Sequence, residues 1–291
     1  MTGGAALGGS GRPVAALGIV VATAALLIVG GRAIARRVTT LPWMRTSSVN
    51  LVAMRGTPRV WLVAHIDSKS QPVAILARIV GISIGIWTLI WIAALAAVAA
   101  RGVAVPSGLW LVAGLIGIAA SLPVIASVVG EQSPGAVDNG SGVVTVLLAA
   151  EALPPDMPVG VLLTSAEELG MAGARAFAAI HSPAMAINVD GVDDRGSTIC
   201  MRHGRAARVR VGLSRAAQSI GMNVRERTTI PGLLTDGVVL AEAGWSAVTL
   251  SRGGLGTLWR IHRAADVASH LRGSGIHEMA RLVASAAREI A

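Results

Sequence analysis

Residues 79–100 and 107–129 are runs of 22 and 23 residues without a charged side chain, joined by the short segment RGVAVP. Crossing about 30 Å of hydrocarbon at about 1.5 Å per residue takes roughly 20 residues of helix. Both runs reach that length and read as a membrane-spanning helical hairpin rather than as buried core helices. A third run, 14–31, has 18 uncharged residues and only just suffices. Of all residues, 14% are charged, against roughly a quarter in an ordinary soluble domain. That shortfall argues against a purely soluble protein. Trp87, Trp91 and Trp110 are expected near the membrane interfaces, where indole rings are favoured.

The first run also fits the apolar part of a signal peptide, with Ala33-Ile34-Ala35 as cleavage site. Arg32, Arg36 and Arg37 follow it directly, which opposes export of that flank and favours an uncleaved anchor. Three spans put residues 32–78 and 130–291 on the same side of the membrane. Arg32, Arg36, Arg37, Arg45 and Arg78 flank the spans there, against Arg12 and Arg101 opposite. The positive-inside rule then assigns the polar part to the cytoplasm. The expected organisation is a tail (1–12), a first spanning helix (13–31), the first part of a polar domain (32–78), the hairpin (79–129) and the main part of that domain (130–291), in a multi-pass protein of the cell membrane.

The net charge of +9 is carried almost wholly by arginine. With no Tyr and one Phe, the chain lacks aromatic platforms on which bases stack. The expected partner is therefore a bilayer with anionic headgroups, not nucleic acid. The Arg-rich stretch 195–227 reads as a solvated helix with flanking loops, or as a surface for such headgroups. A single cysteine, Cys200, excludes a disulfide framework and any zinc site built on two thiolates. Metal ligands must then be histidines and carboxylates.

Within the polar part, 59–64 (RVWLVA), 159–164 (VGVLLT), 186–189 (AINV) and 247–250 (AVTL) read as buried strands. Stretches 141–153, 171–180, 206–220 and 268–290 read as helices. The alternation predicts an α/β fold, a mixed and largely parallel sheet sandwiched by helices. The hairpin interrupts this domain after its first expected strand, so its two ends must meet at the surface.

Open α/β sheets bind ligands at the carboxyl ends of their strands, and the acids and histidines of this chain collect there. RVWLVA runs into His65-Ile66-Asp67-Ser68, VGVLLT into Ser165-Ala166-Glu167-Glu168-Leu169-Gly170, and AINV into Asp190-Gly191. A Gly-rich turn, Asp138-Asn139-Gly140-Ser141-Gly142, precedes a helix, and His262 and Asp266 stand near the C-terminus. Each element alone has an ordinary structural explanation: a core histidine, an N-cap, a solvated helix start. Two adjacent carboxylates after an apolar strand are different, because they cannot both face a dry interior without cations. A mixed His/carboxylate set suits divalent metal, Zn²⁺ above all.

The ordered series H-x-D-S, D-N-x-S-G, E-E-x-G, a strand-terminal Asp and H-x-x-x-D resembles the co-catalytic zinc aminopeptidases of peptidase family M28, over 58–291 apart from the hairpin. The resemblance implies two zinc ions and a peptide substrate. It implies that His65 and Asp190 hold the first zinc, Glu168 and His262 the second, and that Asp138 bridges them. Glu167 would be the general base and Asp67 would orient His65. Asp236 resembles a family Asp that shapes the pocket. The chain departs from the family in placing a membrane hairpin between His65 and Asp138, and in having Ile261 where a tyrosine precedes the zinc-binding histidine. Two alternatives stay open on the same fold: a one-zinc, glutaminyl-cyclase-like acyltransferase and a non-enzymatic membrane interaction module. His181, His203, His270 and His277 match no motif and are expected in ordinary structural roles.

Overall fold

A computed structural model describes residues 2–30, 47–228 and 234–291. Arg32, Arg36, Arg37 and Arg45, and the Ala33-Ile34-Ala35 site, lie outside the described residues. The chain divides into two compact units: the described residues of 1–37 with 71–129, and those of 38–70 with 130–291.

The first unit consists of helices α1 (Thr2–Gly9), α2 (Pro13–Ala25, continued by a π-turn to Gly30), α3 (Ile75–Ala100) and α4 (Ser107–Ile125). The segments Pro13–Gly30, Ile75–Ala100 and Ser107–Ile125 are long and apolar enough to cross a membrane. Small residues make many of the contacts between helices, beside Val20, Ile92 and Trp110. Gly81, Gly85 and Ala96 of α3 and Ala113, Gly117 and Ala120 of α4 are buried. Ile82, Ile84, Ile86 and Trp87, and Leu111, Leu115, Ile118 and Leu122, point outward. A Cβ on Gly81 would sit 2.6 Å from the Ala120 carbonyl oxygen, so only glycine permits the observed approach of α3 to α4. Trp110 is buried rather than facing outward, because α1 crosses it at Gly8. Residues 2–9, expected as part of a tail, are helical.

The second unit is a seven-stranded sheet in the order β1-β3-β2-β4-β7-β5-β6. Its strands are β1 (Leu51–Met54), β2 (Val60–His65), β3 (Val159–Thr164), β4 (Met185–Val192), β5 (Ser197–Arg202), β6 (Val224–Thr228) and β7 (Ser246–Gly253). β1 runs antiparallel to β3 and β5 antiparallel to β7, while the other neighbours are parallel. All six residues of β2 and of β3 are buried, as central strands covered on both faces require. Side chains alternate between two cores. Val60, Leu62 and Ala64 join the core under α5 (Gly142–Glu151), α7 (Ala207–Ser219) and α9 (Ser274–Ile290). Trp61 and Val63 join the core under α6 (Ala172–Ile180) and α8 (Asp236–Glu242).

The sequence reading placed the four central strands but not β1, β5 or β6. The last two fall in the Arg-rich stretch expected as one helix with loops, of which only α7 is helical. Where the sheet unit is interrupted, Ser70 and Gly130 exchange both backbone hydrogen bonds at 2.8 Å. The ends of the insertion are thus closed within the sheet unit, as its tolerance demands.

Candidate metal centre

Three strand ends and two loops meet at the carboxyl edge of the sheet. His65 is the last residue of β2. Its Nδ1 lies 3.0 Å from the Asp67 carbonyl oxygen. A carbonyl only accepts, so Nδ1 carries a proton and Nε2 is the nitrogen left for a metal to bind when the ring is neutral. That Nε2 faces Asp138 Oδ1 at 3.1 Å and Asp190 Oδ1 at 3.8 Å. Asp190 stands at an irregularity in β4, between Val189 and Val192, where Gly191 takes a φ of 74°. The bulge turns the carboxylate out of the ladder toward the site.

Across Asp138, His262 Nε2 lies 2.9 Å from Asp138 Oδ2 and 2.9 Å from Glu168 Oε1. His262 has a φ of 61° and Ala166, just before Glu167, a φ of 54°. Such backbone strain in non-glycine residues is characteristic of functional loops. Two sets of potential ligand atoms therefore share Asp138: His65, Asp138 and Asp190, and Asp138, Glu168 and His262, each within 4.8 Å of one another. Buried Nε2 and carboxylate oxygens in such sets fit divalent zinc.

The loops are tied down by polar residues beside the candidate ligands. Asp67 holds His65 through its carbonyl oxygen, at 3.0 Å from Nδ1, with its carboxylate Oδ1 at 3.6 Å from the same nitrogen. Its two carboxylate oxygens also accept the backbone N–H groups of Glu167 and Glu168 at 3.0 and 3.1 Å. Asp266 accepts the N–H groups of Val137 and Asp138 at 2.8 and 3.1 Å. Asn139 Oδ1 accepts from Gly142 and Gly191, and its Nδ2 donates to the Val189 carbonyl. Ser141 Oγ donates to the Val137 carbonyl and accepts from Val192. The D-N-x-S-G motif is thus one candidate ligand plus a clamp onto β4. Asp236, at the start of α8, is buried and accepts a short hydrogen bond from Thr164. Lys69 pairs with Glu168. Its one advance signal was being the chain's single lysine.

The electrostatics are those of charges held away from water. Burial alone would lower the pKa of His65, but Asp138, Asp190 and Asp67 outweigh it and raise it well above the usual value. Burial likewise opposes His262, which Asp138 and Glu168 push up to about 9. Burial would raise Asp138, yet the two histidines hold it far below the carboxylate range. Asp190 is raised by burial, and Asp236 is pushed up to about 7 for the same reason. Glu167 is raised well above the carboxylate range by burial, with Asp190, Asp236 and Glu168 adding to it against His65. Without cations the histidines take protons in their place, which is the expected behaviour of a cation site.

The unassigned histidines are structural. His181 stacks on Phe177 at 3.9 Å between centroids. Buried His203 bonds Thr249 Oγ1 at 2.8 Å.

The profile of peptidase family M28 matches residues 121–287, a stretch that takes in Asp138, Glu167, Glu168, Asp190 and His262 and begins beyond His65. No curated protein matches the chain in sequence. Among solved structures, a zinc aminopeptidase from Bacillus subtilis is similar at 19% identity and a TM-score of 0.51, over 81% of this chain and 48% of that one. An aminopeptidase from Aneurinibacillus sp. strain AM-1 is similar at 17% identity and 0.55, over 83% and 47%. A glutaminyl cyclase from Macrostomum lignano is similar at 15% identity and 0.52, over 82% and 71%. At these identities the likeness is one of fold, and the chain spans about half the length of the two aminopeptidases.

Proposed function

The chain belongs to peptidase family M28, and from that premise we propose that it is a membrane-bound zinc aminopeptidase with a two-metal centre. One observation carries the reading: Asp138 turns one carboxylate oxygen toward each histidine, Oδ1 at 3.1 Å from His65 Nε2 and Oδ2 at 2.9 Å from His262 Nε2. A ligand shared by two ions needs that disposition. His65 and Asp190 would hold the first zinc, Glu168 and His262 the second, and Asp138 both. Bound there, the ions would supply a water acidic enough to ionise near neutral pH and a polarised substrate carbonyl.

The remaining work falls to side chains. Glu167 belongs to neither ligand set, and its raised affinity for a proton suits a general base. Its carboxylate accepts the proton of the attacking water and returns it to the leaving amine nitrogen, a transfer worth roughly 10²–10⁴ in rate. Asp67, through the N–H groups of Glu167 and Glu168, keeps base and ligand in register. Asp236, bonded to Thr164, shapes the floor of the pocket.

The substrate class is peptide, taken from the N-terminus and close to the bilayer in which α2, α3 and α4 anchor the chain. The sheet unit is the catalytic domain, on the cytoplasmic side. Protease added to inside-out vesicles should then digest it, and protease added to right-side-out vesicles should not.

A second reading rests on the fold shared with the Macrostomum glutaminyl cyclase over 82% of this chain: a one-zinc, glutaminyl-cyclase-like acyltransferase. A panel of aminoacyl amides and glutaminyl peptides separates the two. Hydrolysis that is lost when the substrate amine is acetylated supports the aminopeptidase. Cyclisation without hydrolysis supports the alternative, and equal cleavage of acetylated peptides contradicts both.

A further inference from the structure

Lys69 is the only lysine of the chain; every other fixed positive charge is an arginine. Its Nζ lies 2.5 Å from Glu168 Oε2, with the two side chains 19% and 6% exposed. Glu168 is thereby divided, with Oε1 facing His262 Nε2 at 2.9 Å and Oε2 facing the ammonium. Asp190, its counterpart in the other ligand set, pairs with no lysine or arginine among the described residues. Lys69 is also fixed in place by its neighbours. Ser70 is bridged to Gly130 through both backbone hydrogen bonds, and Ser68 Oγ donates to the Ser133 carbonyl at 3.1 Å.

We propose that Lys69 is a positioning residue that leaves Glu168 a single free oxygen and makes the Asp138–Glu168–His262 set the weaker of two zinc positions, so that the His65–Asp138–Asp190 set fills first. The assignment rests on the two-metal reading above. An ammonium fixed beside a cation site subtracts from the negative potential that draws the cation in, and at low local dielectric that subtraction is large. The His65–Asp138–Asp190 set has no such charge on its own carboxylate. The choice of lysine follows as well. A guanidinium tends to engage both oxygens of a carboxylate through its planar fork, which would leave none for a metal. A compact ammonium is satisfied by one. In a chain that otherwise uses arginine, this position requires the smaller cation.

The test uses the full chain in detergent, stripped by chelation and titrated with zinc against a chromophoric chelator. The wild type should load in two steps. Lys69→Met should tighten the weaker step by roughly tenfold or more and leave the tighter step nearly unchanged. Lys69→Arg should weaken the second step further or abolish it. Opposite directions for the two variants are the signature, since general damage to the fold would weaken both. Thermal melting of each variant reports folding. If Lys69→Met does not fold, Lys69→Arg carries the test, and an unchanged or tighter second step in it overturns the assignment. An unchanged or weaker second step in folded Lys69→Met overturns it too, as do two equal steps in the wild type. A wild-type chain that takes up no zinc overturns the two-metal reading itself, an outcome distinct from any of these.

Discussion

The two units break the rule of apolar inside and charged outside in opposite ways. In the helical unit, glycines and alanines are buried while Ile82, Trp87, Leu111 and Leu122 face outward. In the sheet unit, Leu62, Ile187 and Leu250 are buried as in any soluble protein, but so are Asp138, Glu167, His65 and His262. Water suits neither arrangement. Outward isoleucines call for lipid, where close packing of small residues holds helices together without a hydrophobic drive. Inward carboxylates call for cations, because a buried charge left unpaired is far costlier than a buried methyl group. On the proposed reading the same chain meets two different environments, and each leaves its own pattern in the distribution of side chains.

The sharpest break lies in the charged interior. Glu167→Gln should lower turnover by roughly 10²–10⁴ while zinc content, read by elemental analysis, stays at the wild-type level. Loss of zinc together with activity would make Glu167 a ligand instead of a base. In the apolar interior of the same unit, Leu62→Ala in β2 should cost about 2–5 kcal/mol, read by denaturant unfolding of the detergent-solubilised chain. Buried His203, whose pKa burial pushes down to about 4, should add a pH dependence. An unfolded histidine titrates near 6.5, so between there and about 4 the unfolded state binds more protons and stability is lost as the pH is lowered. The loss totals about 3 kcal/mol, and a His203→Gln variant should lack it when the two unfolding profiles are compared.

The helical unit should respond the other way round. Gly81→Leu adds atoms where a Cβ already meets the Ala120 carbonyl oxygen at 2.6 Å, and should cost about 1–3 kcal/mol as a lowered melting temperature in bilayer discs. Leu111→Ala is the same chemical change as Leu62→Ala on a residue 64% exposed, and should stay within about 0.5 kcal/mol. Equal costs for the two leucines would remove the distinction between the units.

The sequence carried the parts of this architecture that are written locally. Uncharged runs marked the three helices long and apolar enough to cross a membrane, and unbroken apolar runs marked β2 and β3, because strands covered on both faces admit little else. The five ligand candidates sit at the ends of recognisable elements, and the structure brings all five together. What stayed hidden depends on pairing between distant segments. β5 and β6 carry arginines and a glutamate because they lie toward an edge of the sheet, and nothing within STICMR or VRERT announces that β5 pairs antiparallel with β7. Half of the role of Asp67 stayed hidden for a related reason. Its neighbour in sequence is His65, but its hydrogen-bond donors come from Glu167 and Glu168, about 100 residues away. Asp266 and Lys69 likewise find their partners only across the fold.

The central claim is a shared ligand between two zinc ions, and metal content per chain tests it most directly. Elemental mass spectrometry on detergent-purified protein, beside an Asp138→Ala variant, should find close to two zinc ions in the wild type and a clear loss in the variant. A single ion that survives the substitution, or no zinc even after reconstitution, would contradict the account.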